Sequence, residues 1–412
     1  MTAREAARLL GVKLTTLYSY AARGLLGAGA NRGPGHQARY PKASVLRLKT
    51  RADARSGHAA VAGGALQWGE PVLDTSITQL TPEGPRYRGH LATQLARDGR
   101  RFEEVAELLW RDSFEAGSGW RAPLTRLDGL SPLAKRGAPL PTVIAASSWI
   151  GLEEGGRISL QPEVELSRAR VLIRQLAACV GLAHGADRAS QAAKQESISS
   201  TVFFALKGQA PIELQSKALE RALVVLADHE LNASTFAARV AAGVGAGLHA
   251  CVTAALSTLS GIRHGGAADR AEAMAEQALT RGARAVVQER LAFKDSLPGF
   301  DAGAYPLGDP RTSPLMEAAL ELAPKDARLK TLDELRRVVR EDTGAHAAVD
   351  FGLVSVSWAL GLPTGSPSVL FALARTAGWV AHVLEQRGAG TTIRPRARYL
   401  PPPIATNRSS AF

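Results

Sequence analysis

The chain has 412 residues, 45% apolar but only 5% aromatic, with 40 glycines and a formal charge of +12. This length supports a large core and more than one domain. Its two isolated cysteines, Cys179 and Cys251, exclude a disulfide framework and point to a reducing cytoplasm; no charged-then-apolar leader pattern opens the chain, and no segment reads as a membrane span. The charge is concentrated at one end. Residues 1–55 hold eleven Lys and Arg against Glu5 and Asp53, a local balance of +9, which leaves about +3 for the other 357 residues. Such asymmetry predicts a separate module facing nucleic acid.

In that module Thr2 caps a first helix over 3–10, with Glu5 as its capping-box partner. Gly11-Val12 turns the chain into a second helix over 14–22. Leu9, Leu10, Val12, Leu14, Leu17 and Leu25 supply a small core. A Gly/Pro/Asn-rich loop over 27–38 precedes Arg39-Tyr40, and 43–51 reads as a third helix. Ala6-Ala7, Gly11-Val12, Thr16-Leu17-Tyr18 and Gly24-Leu25-Leu26 together resemble the winged helix-turn-helix of MerR- and excisionase-type proteins. The resemblance implies that the second helix enters the major groove of DNA. Lys13, Thr15, Thr16 and Ser19 would face bases, and Arg23, Arg32, Arg39 and Lys42 would meet phosphates. A docking or oligomerisation domain that no longer binds DNA is the alternative.

Residues 52–66, rich in Ala, Gly and Arg, read as a linker. Residues 67–81 predict a short hairpin or an extended lead-in, followed by Arg86-Tyr87-Arg88-Gly89-His90. Helical periodicity marks 102–110, 139–150, 166–182 and 214–228. Between the last two, the polar segment 190–201 reads as a mobile flap or an ordinary surface loop. Further helices are expected over 269–283, 285–292, 313–322, 331–343, 349–360 and 368–386. Strand signals are scarce, so the fold class is mainly α.

The stretch from Asp228 to Ala267 organises the rest. It opens on Asp228-His229-Glu230 with Asn232 and Ser234, and closes on Arg263-His264-Gly265-Gly266. The apolar, small-residue segment between them reads as a buried core helix, interrupted by Arg239 and His249 and broken in its regularity by Gly243, Gly245 and Gly247. A DHExNAS-like segment followed about 35 residues later by an HGG segment resembles the citrate synthase family. Tyr87-Arg88-Gly89, Gly299-Phe300 with Tyr305, Asp309-Pro310-Arg311, Val349-Asp350-Phe351, Arg375-Thr376-Ala377-Gly378-Trp379 and Arg394-Pro395-Arg396 extend the resemblance. It implies a citrate synthase-like body of large and small α-helical domains closing over a cleft, as a homodimer. The large domain would comprise 67–265 and 364–412 and the small domain 266–363, behind the helix-turn-helix of 1–55 and a linker at 56–66.

The resemblance also implies a chemistry. The methyl carbon of acetyl-CoA is joined to the ketone of oxaloacetate, and thioester hydrolysis then gives citrate and CoA, with no metal and no cofactor beyond acetyl-CoA as substrate. The methyl proton is weakly acidic, so the site needs a carboxylate base and a hydrogen-bond donor at the thioester oxygen. The matching residues are Asp350 as base and His264 as donor. The two carboxylates of oxaloacetate need planar donors. These match Arg311, Arg375 and Arg394, the last reaching over from the partner subunit, while His229 also holds oxaloacetate. Each residue has a plainer alternative: Asp350 as a helix N-cap, His264 as a core histidine, Arg311 in a surface ion pair, Arg375 as a bridge between helices.

One family residue is absent. Ala302 stands where a histidine should polarise the oxaloacetate ketone, a loss worth about 10²–10³ in rate. Water in the space left by Ala302, or His346 four residues before Asp350, is a conceivable replacement. The alternative function is a catalytically weakened, metabolite-sensing regulator that binds DNA.

Overall fold

The computed structural model describes residues 1–23, 25–26, 31–32, 38–41, 44–45, 48–49, 72–116, 120, 139–154, 159, 161–300, 304–305, 307–397 and 399. The linker expected over 52–66 lies outside them, and so does Ala302. The chain forms two units, Met1–Asp74 and Thr75–Phe412.

In the first unit, α1 (Ala3–Leu10) starts as its sequence dictates. Thr2 Oγ1 accepts from the Glu5 N–H at 3.3 Å, and Glu5 Oε2 accepts from the Thr2 N–H at 2.7 Å. Gly11, left-handed at φ +64°, ends it. Next come α2 (Leu14–Ala22) and an antiparallel pair, β1 (Asn31–Arg32) with β2 (Ala38–Arg39), at the place of the expected wing. Ala6, Ala7, Leu17, Leu26, Tyr40 and Val45 form the core. Leu14 and Leu25, expected inside, are exposed. Of the adjacent pair Leu25-Leu26 only one can point inward, and Leu26 does. Of the expected third helix, residues 44–45 and 48–49 are described, and they are helical.

Among its described residues the second unit is mainly helical, with a small antiparallel sheet of β3 (Thr78–Thr81), β4 (Gly84–Tyr87) and β5 (His90–Leu91). The hairpin thus falls later than 67–81 and puts Tyr87-Arg88-Gly89 at its second turn. The helices are α3 (Ala92–Arg97), α4 (Phe102–Arg111), α5 (Pro139–Glu153), α6 (Pro162–Cys179), α7 (Ala186–Ala193), α8 (Ile198–Lys207), α9 (Glu213–Leu226), α10 (Ala233–Gly243), α11 (Leu248–Leu259), α12 (Gly266–Arg281), α13 (Ala283–Ala292), α14 (Thr312–Leu322), α15 (Ala327–Thr343), α16 (Val349–Ala359) and α17 (Ser366–Ala389). The axis of the unit is α17, which packs against α4, α5, α6, α9, α10, α11, α12 and α16. It is long and apolar enough to cross a membrane, but 94% of its most apolar window is buried inside the unit, as in a core helix. Both cysteines are free and buried.

Two expectations need correction. The polar segment 190–201 is the end of α7, a four-residue turn over 194–197 and the start of α8, so only its centre is a loop. It is held from beneath by the fully buried Arg174, which donates to the carbonyls of Gln195 and Glu196 at 2.6 and 2.8 Å and to Thr201 Oγ1 at 2.8 Å. The apolar run after Asp228 is not one helix. Asn232 Oδ1 accepts from the Thr235 N–H at 3.1 Å and starts α10. Gly245, at φ +81°, then breaks the run, and α10 and α11 pack along each other.

Candidate active site

Tyr87 and Arg375 meet at the C-terminus of α9. A helix ends on carbonyls that lack intrahelical partners. Here the buried Tyr87 hydroxyl lies 3.1 Å from the carbonyls of Val224, Val225 and Asp228, and Arg375 Nε donates to the Leu226 carbonyl at 2.8 Å. Gly378, one turn beyond Arg375, lets α17 touch this end. A Cβ there would sit 2.1 Å from Asp228 Oδ1 and 2.6 Å from the Ala227 carbonyl. The segment leaving α9 is thereby fixed, and it carries His229.

His229 Nε2 lies 3.1 Å from the Tyr305 hydroxyl, with the two rings edge-to-face at 5.7 Å. Burial, then the positive fields of Arg311 and Arg375, hold His229 well below the usual histidine range, so it is neutral. Arg311 is clamped by Asp309. Its Nε and backbone N–H both donate to Oδ1 at 3.0 Å, and one terminal nitrogen donates to Oδ2 at 2.7 Å. The other terminal nitrogen is buried without a partner, and in Arg375 both are. Arg375 is 1% exposed, lies over the Phe371 ring at 4.9 Å, and is pushed down to about 10 by burial. Three buried donor nitrogens with no acceptor are costly. They are suited to anionic oxygens, which match the guanidinium fork.

The same Phe371 ring meets His264 edge-on at 6.0 Å. Burial, with Arg375 adding to it, pushes His264 down to about 4, so this histidine is neutral too. Its Nε2 is 2.7 Å from Ser234 Oγ, which accepts from the Trp379 indole N–H at 3.2 Å and lies 2.7 Å from Asn232 Oδ1. Gly265 and Gly266 let this turn sit against the end of α11. Cβ atoms there would lie 2.4 Å from the Leu259 side chain and 2.8 Å from the Ser260 carbonyl.

Asp350 is the second residue of α16. The N-cap is Ala348, whose N–H donates to the Gly299 carbonyl at 2.7 Å, so the N-cap alternative for Asp350 is overturned. Its side chain keeps some exposure. Burial by its surroundings pushes the carboxyl up to about 6, against the pull of Arg311 and Arg375 and with help from Asp309.

The structure therefore brings His229, His264, Arg311, Asp350 and Arg375 into one site. Arg311 is buried rather than in a surface ion pair. Arg375 does bridge helices, but with Nε alone. Tyr305, Ser234, Asp309 and Phe371 join the site without having been singled out for a role. The available signal was position, inside or beside segments already matched. Arg394 does not join it within the chain. Residues 391–393 lie across Gly243, where the Thr392 hydroxyl donates to the Gly243 carbonyl at 3.2 Å, and Arg394 beyond them is exposed. His346 is engaged elsewhere, packed on Gly308 and hydrogen-bonded to Arg340. In the first unit Lys13, Thr15 and Arg23 are exposed, and Thr16 and Ser19 partly so. The side chains of Arg32 and Arg39, and all of Lys42, lie outside the described residues.

Known proteins share this arrangement of elements. Residues 65–396 match the family model for the citrate synthase C-terminal domain, and residues 1–53 match one for a helix-turn-helix domain. The chain is 30% identical over 355 residues to the 2-methylcitrate synthase of Shewanella oneidensis, covering 81% of this chain and 92% of that one. It is 30% identical over 339 residues to the citrate synthase of Haloferax volcanii, covering 76% and 88%. Its fold is similar to that of the Thermoplasma acidophilum citrate synthase, solved as a ternary complex with carboxymethyl coenzyme A and oxaloacetate. The TM-score is 0.70 at 23% identity, over 81% of this chain and 94% of that one. A family match that runs from residue 65 to Arg396, through every segment that builds the site, settles the assignment: the chain belongs to the citrate synthase family.

Proposed function

We propose that this protein condenses acetyl-CoA with oxaloacetate and releases citrate and CoA. The observation that carries the reading is the pair of buried arginines, Arg311 and Arg375, whose three unpartnered terminal nitrogens suit the carboxylates of a dicarboxylic keto acid. His229, neutral and tied to Tyr305, orients the keto acid. Asp350 takes the methyl proton: a carboxylate with a pKa of about 6 is mostly ionised at neutral pH, yet more basic than an ordinary one. His264, held at Nε2 by the Ser234 hydroxyl, which itself donates to Asn232 Oδ1, donates to the thioester oxygen as the enolate forms. The enolate carbon then attacks the ketone, and water cleaves the resulting thioester to free CoA. With Ala302 in place of the family's histidine, the developing alkoxide lacks one donor, which slows turnover by about 10²–10³.

The large and small domains named above would close over this cleft. Arg394, exposed just beyond the anchored residues 391–393, would complete the site of a second copy in a homodimer. The test is CoA release from acetyl-CoA and oxaloacetate. Wild type should be active, Asp350→Ala inactive, and Ala302→His faster. No release by either wild type or Ala302→His refutes the reading.

A second reading rests on residues 1–55, where a +9 balance accompanies the helix-turn-helix match. A slow catalyst on an intact keto-acid site, joined to such a module, would serve as a metabolite-sensing DNA-binding regulator. Its DNA affinity should then fall linearly with salt on logarithmic axes. Absent or salt-insensitive binding removes this reading.

A further inference from the structure

We infer that His382 is a positioning residue: it holds the Asp228 carboxylate as a counter-ion to Arg375 while keeping that carboxylate off the arginine's two free nitrogens. The inference rests on the keto-acid reading of Arg375.

Asp228 is fully buried, as is His382. A buried carboxylate is expensive unless it is paired and hydrogen-bonded. Asp228 Oδ2 accepts from the Glu230 N–H at 3.0 Å and lies 3.4 Å from His382 Nε2. Asp228 and Arg375 act on each other electrostatically, the carboxylate supporting the cation and the cation the carboxylate. No hydrogen bond joins them. Both terminal nitrogens of Arg375 lack a partner. Asp228 Oδ1 is pressed against α17 at Gly378, one turn from Arg375, and the Thr78 hydroxyl also stabilises the carboxylate. In the same site Asp309 and Arg311 show the alternative, a carboxylate that takes up its arginine at two nitrogens. Charge compensation without contact leaves the Arg375 fork open for a substrate carboxylate.

The orientation of His382 follows from its other neighbour. Its Nδ1 is 3.3 Å from a terminal nitrogen of Arg239. A guanidinium only donates, so Nδ1 accepts and Nε2 carries the proton that goes to Asp228. Arg239 is fixed in turn by Glu385 Oε2 at 2.6 Å and Gln386 Oε1 at 2.9 Å. Glu385 Oε1 accepts from the Ser76 N–H and hydroxyl at 2.8 and 3.0 Å. Charges therefore alternate along Glu385, Arg239, Asp228 and Arg375, with His382 joining Arg239 to Asp228, and end at the fork.

The test is oxaloacetate binding by titration calorimetry, with CoA release measured alongside. His382→Leu frees the carboxylate to close on Arg375. Its Kd and KM for oxaloacetate should rise about tenfold or more, the scale of one charge-assisted hydrogen bond, with KM for acetyl-CoA little changed. His382→Gln, whose amide can replace the Nε2 donor, should stay near wild type. Asp228→Asn removes the competing charge and should bind oxaloacetate at least as tightly as wild type. Adding it to His382→Leu should restore most of the lost affinity. A structural lesion would instead be deepened by the second change, so a double variant weaker than His382→Leu overturns the inference, as does an unchanged Kd in His382→Leu. If His382→Leu does not fold, Asp228→Asn decides, and weaker binding by that folded variant overturns it. Wild type that binds no oxaloacetate refutes the keto-acid reading and this inference with it. Binding without turnover removes the catalytic claim alone and leaves the Kd series to judge His382.

Discussion

Replacing the proposed base by its neutral isostere should stabilise the fold while abolishing activity. Burial raises Asp350 from the ordinary carboxylate value of 3.8 to about 6. Between those values the folded chain holds more protons than the unfolded chain, so stability falls as pH rises through the window. Below it both states are protonated and there is no penalty; above it the penalty is complete. The difference between 3.8 and about 6 is worth about 3 kcal/mol, an upper figure because the side chain keeps some exposure. At pH 5 the same relation leaves about half of that. Asp350→Asn carries no charge and escapes the penalty. With an unfolding entropy of about 2.1 cal/mol/K per residue over the second unit, 3 kcal/mol corresponds to about 4 °C in Tm. Thermal unfolding of wild type and Asp350→Asn at pH 7.5 and pH 5 measures this directly. The variant should gain about 4 °C at the higher pH and about 2 °C at the lower, with CoA release lost at both. An unchanged or lower Tm at pH 7.5, or a gain that does not shrink at pH 5, refutes the assignment of a desolvated, ionised carboxylate at this position.

Three further outcomes follow from the same geometry. The pH profile of kcat/KM for acetyl-CoA should lose activity below about pH 6, where Asp350 takes up its proton, with no limb from His264 until about 4; an acid limb centred near 4 alone contradicts this. Ser234→Ala removes the hydroxyl that holds the His264 ring in place, and kcat should drop about 10–100-fold with oxaloacetate affinity nearly intact; a loss confined to affinity would show that Ser234 serves packing. Gly378→Ala forces a methyl group onto Asp228 Oδ1 and the Ala227 carbonyl, and urea unfolding should register a loss of about 1–3 kcal/mol; a change within about 0.5 kcal/mol, the range of an ordinary surface substitution, would mean that α17 can move away without cost.

How far the chain could be read in advance follows the range of the interaction that decides each feature. The partners of the Thr2–Glu5 capping box are three positions apart, and the box was legible. Helix periodicity is also local, and most helices of the second unit fall within a few residues of their expected bounds. The segment 190–201 was decided from farther away: it looks like a flap until the buried Arg174 is seen beneath it. The break after Asp228 is local, at the left-handed Gly245, one of the glycines that interrupt the run. The site was legible for a different reason: its segments couple a reactive side chain to a backbone approach that only glycine permits. His264 comes with Gly265 and Gly266 against α11, and Arg375 with Gly378 against the end of α9. Chemistry and close packing then occupy the same few letters. Protonation states have no such coupling. Nothing near His229 in sequence announces that burial, with Arg311 and Arg375, will hold it neutral. Nor does anything near Asp228 announce His382, 154 positions away. Short segments therefore identify the groups that touch substrate, whereas the residues that set their charge and keep their donors free emerge only when α17 is laid along the rest of the fold.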